Sequence, residues 1–138
     1  MALGRNAKID HIRAVPLFAR CSRAEVAEVA KIADEIDIPE GKDLTREGDR
    51  GREFFVLLEG SAIVKRGGRK VNVLGPGDFF GEIALVSRSP RTATVTTTSP
   101  SQLLVITDGR FRSLLDHSPR IQLRVLEALA DRLAPSAL

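Results

Sequence analysis

The sequence predicts a mainly β domain, an antiparallel sandwich or barrel, with helices flanking it on both sides. Three observations carry this. Short β-rich runs alternate with glycine turns between about Asp37 and Thr107. Apolar residues recur at helical spacing before that zone and again after it. The chain has 138 residues, 43 % hydrophobic and 28 % charged, a balance that suits one globular domain and excludes a disordered chain.

The first zone, Ile9 to about Ile36, reads as helical. Pro16 interrupts it, so a short separate helix precedes the main one. In SRAEVAEVAKIADEI, Ser22 can cap the second helix, and Glu25, three residues on, completes a capping box. Val26, Val29, Ala30 and Ala33 then share a face.

The second zone, about 37–107, changes period. Phe54 to Leu58, Ser61 to Lys65, Lys70 to Leu74, Ala93 to Thr97 and Gln102 to Ile106 read as strands. PEG, EGD, EG, GG and GPGD mark the turns between them. The cluster KRGGRK, Lys65 to Lys70, straddles a Gly-Gly turn and reads as a solvated hairpin tip. No aromatic series or helix-turn-helix pattern accompanies it, as a nucleic-acid surface would require.

The third zone, about 108–134, holds two helices. Asp108 is the expected cap of one ending near His117, and Pro119 opens another that continues to about Leu133. Ile121, Leu123, Val125, Leu126, Leu129, Ala130 and Leu133 cover about half the circumference of that last helix. One sheet contact needs less. A partner subunit, a lid role, or deep burial at the end of the domain would each use the surplus.

Composition narrows the function. Net charge is +3 with both signs interspersed, and no apolar run approaches the roughly 18 residues of a membrane span. The N-terminus lacks the uninterrupted apolar stretch of a signal peptide. Cys21 stands alone, so no internal disulfide forms, and a cytoplasmic location is expected. A metal-dependent barrel enzyme needs clustered histidines and carboxylates inside the barrel. His11 and His117 both lie in the helical zones, and one cysteine cannot hold an iron–sulfur cluster. No G-x-S-x-G or P-loop pattern occurs. The expectation is a non-enzymatic domain with no metal.

The chemistry concentrates in FFGEIALVSRSPRTATV, Phe79 to Val95, where Glu82 and Arg91 interrupt apolar residues. A buried charge is costly unless paired. The two can pair with each other at the barrel mouth, or each can await a ligand, and their spacing allows both. Gly81 lets the backbone approach a ligand, and Glu82 to Leu85 can open a short helix whose free N–H groups favour an anion. The planar fork of Arg91 matches two phosphate oxygens. Glu82 would repel a phosphate placed against it and suits sugar hydroxyls. Phosphate on one side and hydroxyl on the other describes a nucleotide.

F-G-E-I-A-L followed by R-T-A-T-V resembles the phosphate-binding cassette of cyclic nucleotide-binding domains. The likeness extends in order along nearly the whole chain. VPLFARCSRAEVAEVA resembles the family's opening helices, PEGKDLTREGD and FFVLLEGSAIV its early strands, VLGPGDFFGE the approach to the cassette, and FRSLLDHSPRIQLRVLEALADRL its closing helices. The resemblance, to domains of the catabolite activator and protein kinase A regulatory-subunit type, implies an eight-stranded antiparallel β-roll, jelly-roll-like, that binds cAMP or cGMP. The cassette would span 79–95. It implies that Arg91 meets the cyclic phosphate, that Glu82 accepts from the ribose 2′-hydroxyl, and that Gly81 lets the sugar sit close. The N–H groups of Ile83 and Ala84 would complete the cradle, and Val64 and Val71 would line the base and sugar pocket or simply pack the core. Thr92 is either a strand residue or a contact to a guanine base; the R-T-A form also occurs in bacterial members that bind cAMP.

The expected function is a regulatory sensor for cAMP, with cGMP second, that moves the C-terminal helices. The alternative is an interaction scaffold of the same fold that no longer responds to nucleotide. A homodimer contact or an effector contact through the last helix is the expected partnership. Transcription factors of the family carry a helix-turn-helix domain after that helix. This chain ends in APSAL soon after that helix, so nucleic-acid binding by it is not expected, and with no apolar run of spanning length membrane binding is not expected either.

Overall fold

The computed structural model describes residues 5–82 and 89–137, with side chains for 7–82 and 89–130. Eight strands form two four-stranded antiparallel sheets. They are β1 Asp34–Ile38, β2 Asp43–Thr45, β3 Glu53–Glu59, β4 Ala62–Arg66, β5 Arg69–Leu74, β6 Phe79–Phe80, β7 Thr94–Thr97 and β8 Ser101–Thr107. One sheet runs β1-β8-β3-β6 and the other β2-β7-β4-β5. This is the expected mainly β roll with flanking helices. The five strands read individually from the sequence each fall within one residue of their expected ends.

Alternation of side chains along a strand divides the interior. On β3, Phe54, Val56 and Leu58 face the helices, while Phe55 and Leu57 face the opposite sheet. On β8, Leu104 and Ile106 face the helices and Leu103 faces inward. The first sheet is therefore a partition. The roll interior lies on one side, closed by Ala62, Leu74 and Val95 of the second sheet. The helices pack on the other.

Four α-helices are described: α1 Arg5–Ala14, α2 Arg23–Ile32, α3 Asp108–His117 and α4 Pro119–Ala137, with a single 3-10 turn at Pro16–Phe18 between the first two. The capping box forms as expected. The Ser22 hydroxyl accepts from the Glu25 N–H, and the Glu25 carboxylate accepts from the Ser22 N–H at 2.7 Å. Phe18, Phe54 and Phe111 bind the layers together, with ring centroids 6.2 Å apart for Phe18–Phe111 and 6.4 Å for Phe54–Phe111. No helix among the described residues is long and apolar enough to cross a membrane.

Three expectations are corrected. The first helical zone stops at Ile32 rather than Ile36, because Ala33 turns extended and Asp34 to Ile38 pair with β8 in the register Asp34↔Val105 to Ile38↔Ser101. Asp108 is the first residue of α3 and not its cap. Thr107 holds the cap position without a side-chain hydrogen bond, and the Asp108 N–H donates to the Arg52 carbonyl at 2.7 Å. Helix α4 runs past Leu133 to Ala137. Along α4, Ile121 and Val125 are buried, whereas Leu123 and Leu126 are 55 % and 61 % exposed, so its apolar surplus faces outward. The helix expected over Glu82 to Leu85 falls mostly outside the described residues.

Candidate functional site

A cavity of about 330 Å³ opens beside β4 and β5 and is closed on its other side by β6 and the segment that precedes β7. Val64, Val71, Gly81, Glu82, Arg91 and Thr92, six of the residues singled out in the sequence, line it together. Ile83 and Ala84 fall outside the described residues. Val71 is half exposed, which suits a cavity wall better than a core position.

Arg91 is the chemical centre. The loop between β2 and β3 grips its main chain. The Arg91 N–H donates to the Asp49 carbonyl at 2.8 Å, and its own carbonyl accepts from the Gly48 N–H at 2.8 Å. Its Nη2 donates to the Glu53 carbonyl at 2.7 Å. Its Cζ lies 5.9 Å from the Phe55 ring centroid, and Phe55 stacks on Phe80 at 4.9 Å. Burial lowers the Arg91 pKa, while the carboxylates of Glu53 and then Glu82 oppose that shift. An arginine tolerates this and stays a cation. The close partner of the guanidinium is thus a carbonyl, and Glu82 acts on it as a nearby charge.

Gly81 has two reasons to be glycine. Its φ is +83°, in the left-handed region. A Cβ there would also lie 2.8 Å from Arg91 Nη1 and 2.9 Å from the Glu53 carbonyl oxygen. The close approach anticipated at Gly81 is therefore made first to the arginine and its carbonyl anchor.

Several cavity residues were not foreseen. Arg66, at the end of β4, donates from Nε to the Thr92 carbonyl at 3.2 Å. Asn72 lines the cavity from β5, and its Oδ1 accepts from the Val73 N–H at 2.8 Å. Gly51 lies against the Arg91 side chain. The alternation Val64–Arg66 was a usable signal for Arg66. Nothing local pointed to Gly51.

These groups can bind an anion and a hydroxyl-bearing neighbour. His11 and His117 lie on α1 and α3, away from the cavity. Burial pushes the Cys21 thiol up to about 11, which leaves it protonated at neutral pH. Among the described residues no group of three His, Cys, Asp or Glu side chains is placed to hold a metal ion.

The family model for the cyclic nucleotide-binding domain matches residues 35–118, which span β1 to the end of α3 and every lining residue of the cavity. The chain belongs to the cyclic nucleotide-binding domain family. It is 44 % identical over 103 residues to a cAMP-dependent protein kinase regulatory subunit of Mycosarcoma maydis, covering 67 % of this chain and 19 % of that protein. The N-terminal domain of a transcriptional regulator from Streptomyces coelicolor A3(2) superposes with a TM-score of 0.80 at 30 % identity, covering 92 % of each chain. A cAMP-bound PfPKA-R structure superposes with a TM-score of 0.76 at 26 % identity, covering 97 % of this chain and 48 % of that one. The chain spans 19 %, 30 % and 34 % of the length of three curated relatives it matches. In this cyclic nucleotide-binding domain Arg91 lines a cavity that lies wholly within the matched residues.

Proposed function

We propose that this chain is a cyclic nucleotide sensor whose ligand is cAMP. The carrying observation is Arg91, a half-buried cation held by the Glu53 carbonyl at the wall of a cavity that it shares with Glu82 and Gly81. Arg91 meets the cyclic phosphate, and Glu82 accepts from the ribose 2′-hydroxyl. Gly81 lets the sugar sit close, and the N–H groups of Ile83 and Ala84 complete the phosphate cradle. Val64 and Val71 form the apolar walls of the base and sugar pocket. The kinship to a regulatory subunit named for cAMP and to a cAMP-bound structure supports cAMP.

One observation favours a second reading, cGMP. The Asn72 Oδ1 is taken by a backbone N–H, an unambiguous donor, so the amide presents its NH₂. Asn72 and Thr92 both line the cavity, and an amide NH₂ and a hydroxyl are donors that suit the N7 and O6 acceptors of guanine. Competitive titration with the two nucleotides decides between them.

The output proposed is movement of α4. Asn72 and Leu74 of β5 line the ligand cavity and also a groove bounded by Pro16 and by Ala128 of α4. A ligand that favours one placement of that wall shifts the population toward it. The exposed Leu123 and Leu126 are where a second subunit or an effector docks. Equal hydrogen exchange across α4 with and without saturating nucleotide would exclude this output and leave a non-responding scaffold.

Calorimetric titration of Arg91→Leu and Glu82→Ala tests the site itself. Removing one partner of a buried charge contact costs about 2–5 kcal/mol, so affinity falls roughly 30- to several-thousand-fold. Parent-like binding by both variants would sink the proposal.

A further inference from the structure

Two glycines of the β2–β3 loop differ in kind. Gly48 has φ +87° and nothing within 4 Å of where a Cβ would stand, so it serves the turn. Gly51 is not among the positive-φ glycines, and its backbone conformation is open to other residues. What Gly51 excludes is a side chain. A Cβ there would overlap Nε, Cζ and Nη2 of Arg91.

We infer that Gly51 is a positioning residue for the arginine: its bare Cα is the slot in which the Arg91 guanidinium lies. The same loop fixes the Arg91 main chain through Gly48 and Asp49. The Glu53 carbonyl then anchors Nη2, and the Phe55 ring lies within cation–π reach of Cζ. Gly81 leaves room at Nη1. The main-chain contacts fix where the side chain starts, and the Glu53 carbonyl, Gly51 and Gly81 bound where its nitrogens lie; a planar fork engages two oxygens only when it is aimed at them. Any side chain at 51 turns the fork away while the backbone keeps its course.

This inference rests on Arg91 being the anion-binding group, and its test separates the two. In Gly51→Ala the thermal midpoint without nucleotide stays at or above the parent value, because alanine narrows the unfolded ensemble where the backbone accepts it. Affinity for cAMP and cGMP falls by about tenfold or more, while in an Arg91→Leu background the same change adds less than about twofold. Without any nucleotide, the Arg91 Nε–Hε NMR signal, assigned by its loss in Arg91→Leu, moves in Gly51→Ala. An unmoved signal overturns the inference, as does an equal affinity loss in both backgrounds. If Gly51→Ala fails to fold, Gly51→Ala/Arg91→Leu must recover the Arg91→Leu midpoint, and persistent failure also overturns it. If the parent binds no cyclic nucleotide, the proposed function fails, and the Arg91 signal alone decides the role of Gly51.

Discussion

Arg91 and Cys21 show burial acting on two ionisable groups. In both it favours the neutral form. Arg91 stays a cation, as arginines do, and two carboxylates oppose the effect of burial on it, whereas the Cys21 thiol simply keeps its proton. The consequence for Cys21 is measurable. The unfolded thiol ionises near 9.0 and the folded one near about 11. Between those values the unfolded chain is the one that has lost the proton, so stability is full below about pH 9 and declines toward pH 11. Urea unfolding across that window, compared with Cys21→Ala, should show the decline in the parent and its loss in the variant. Alkylation at pH 8 should be slow in the native chain and fast in urea. At this scale the sequence was legible where contacts are local: Gly81, Glu82, Arg91 and Thr92 lie in one short segment and line one cavity. Gly51, Arg66 and Asn72 were missed because strand pairing and loop contacts across the chain, such as Arg66 to Thr92, bring them there.

Among the elements, α2 was legible because its start is encoded within four residues. Ser22→Ala should lower stability by about 1 kcal/mol, as loss of a helix cap does, measured as a reduced urea midpoint with an unchanged slope. The Ser22 backbone N–H holds the Glu25 carboxyl below its ordinary pKa. A depressed carboxylate stabilises above its unfolded pKa and ceases to do so as pH falls through the folded one. The parent should therefore lose stability as pH falls through the carboxylate range, and Glu25→Gln, which starts lower but gains no proton at that position, should lose less over the same range in urea unfolding. Strand β1 was illegible for the opposite reason. ADEIDI continues the charged and apolar mixture of α2, and only pairing with β8, some seventy residues on, makes it a strand. The turn that follows it is pinned just as remotely: the buried Thr97 of β7 accepts from the Lys42 N–H at 2.9 Å and donates to the Pro39 carbonyl at 2.7 Å.

For the whole molecule, Phe111 joins the helical layer to the partition sheet. Phe111→Ala should destabilise the chain by about 3–5 kcal/mol through a cavity that its packed neighbours cannot close, read from urea denaturation. Ligand acts at the same scale. Nucleotide at about a hundred times its dissociation constant stabilises by about 2.7 kcal/mol, which for a domain of this size raises the thermal midpoint by roughly 10 °C. A midpoint indifferent to both cAMP and cGMP would contradict the sensor reading. The layered β architecture was legible from glycine turns and period-two runs. The division of the interior was not, because it depends on which face of β3 meets which layer.

That division has a genetic consequence. Phe54 and Phe55 are neighbours in the chain, yet Phe54 packs with Phe79 and Phe111 beneath the helices, while Phe55 stacks on Phe80 beside the arginine. Adjacent codons thus address separate phenotypes. Lesions at 54 should emerge from selections for folding and abundance, and lesions at 55 from selections for response to the ligand. A mutant library across this one dipeptide would sort the molecule's two tasks.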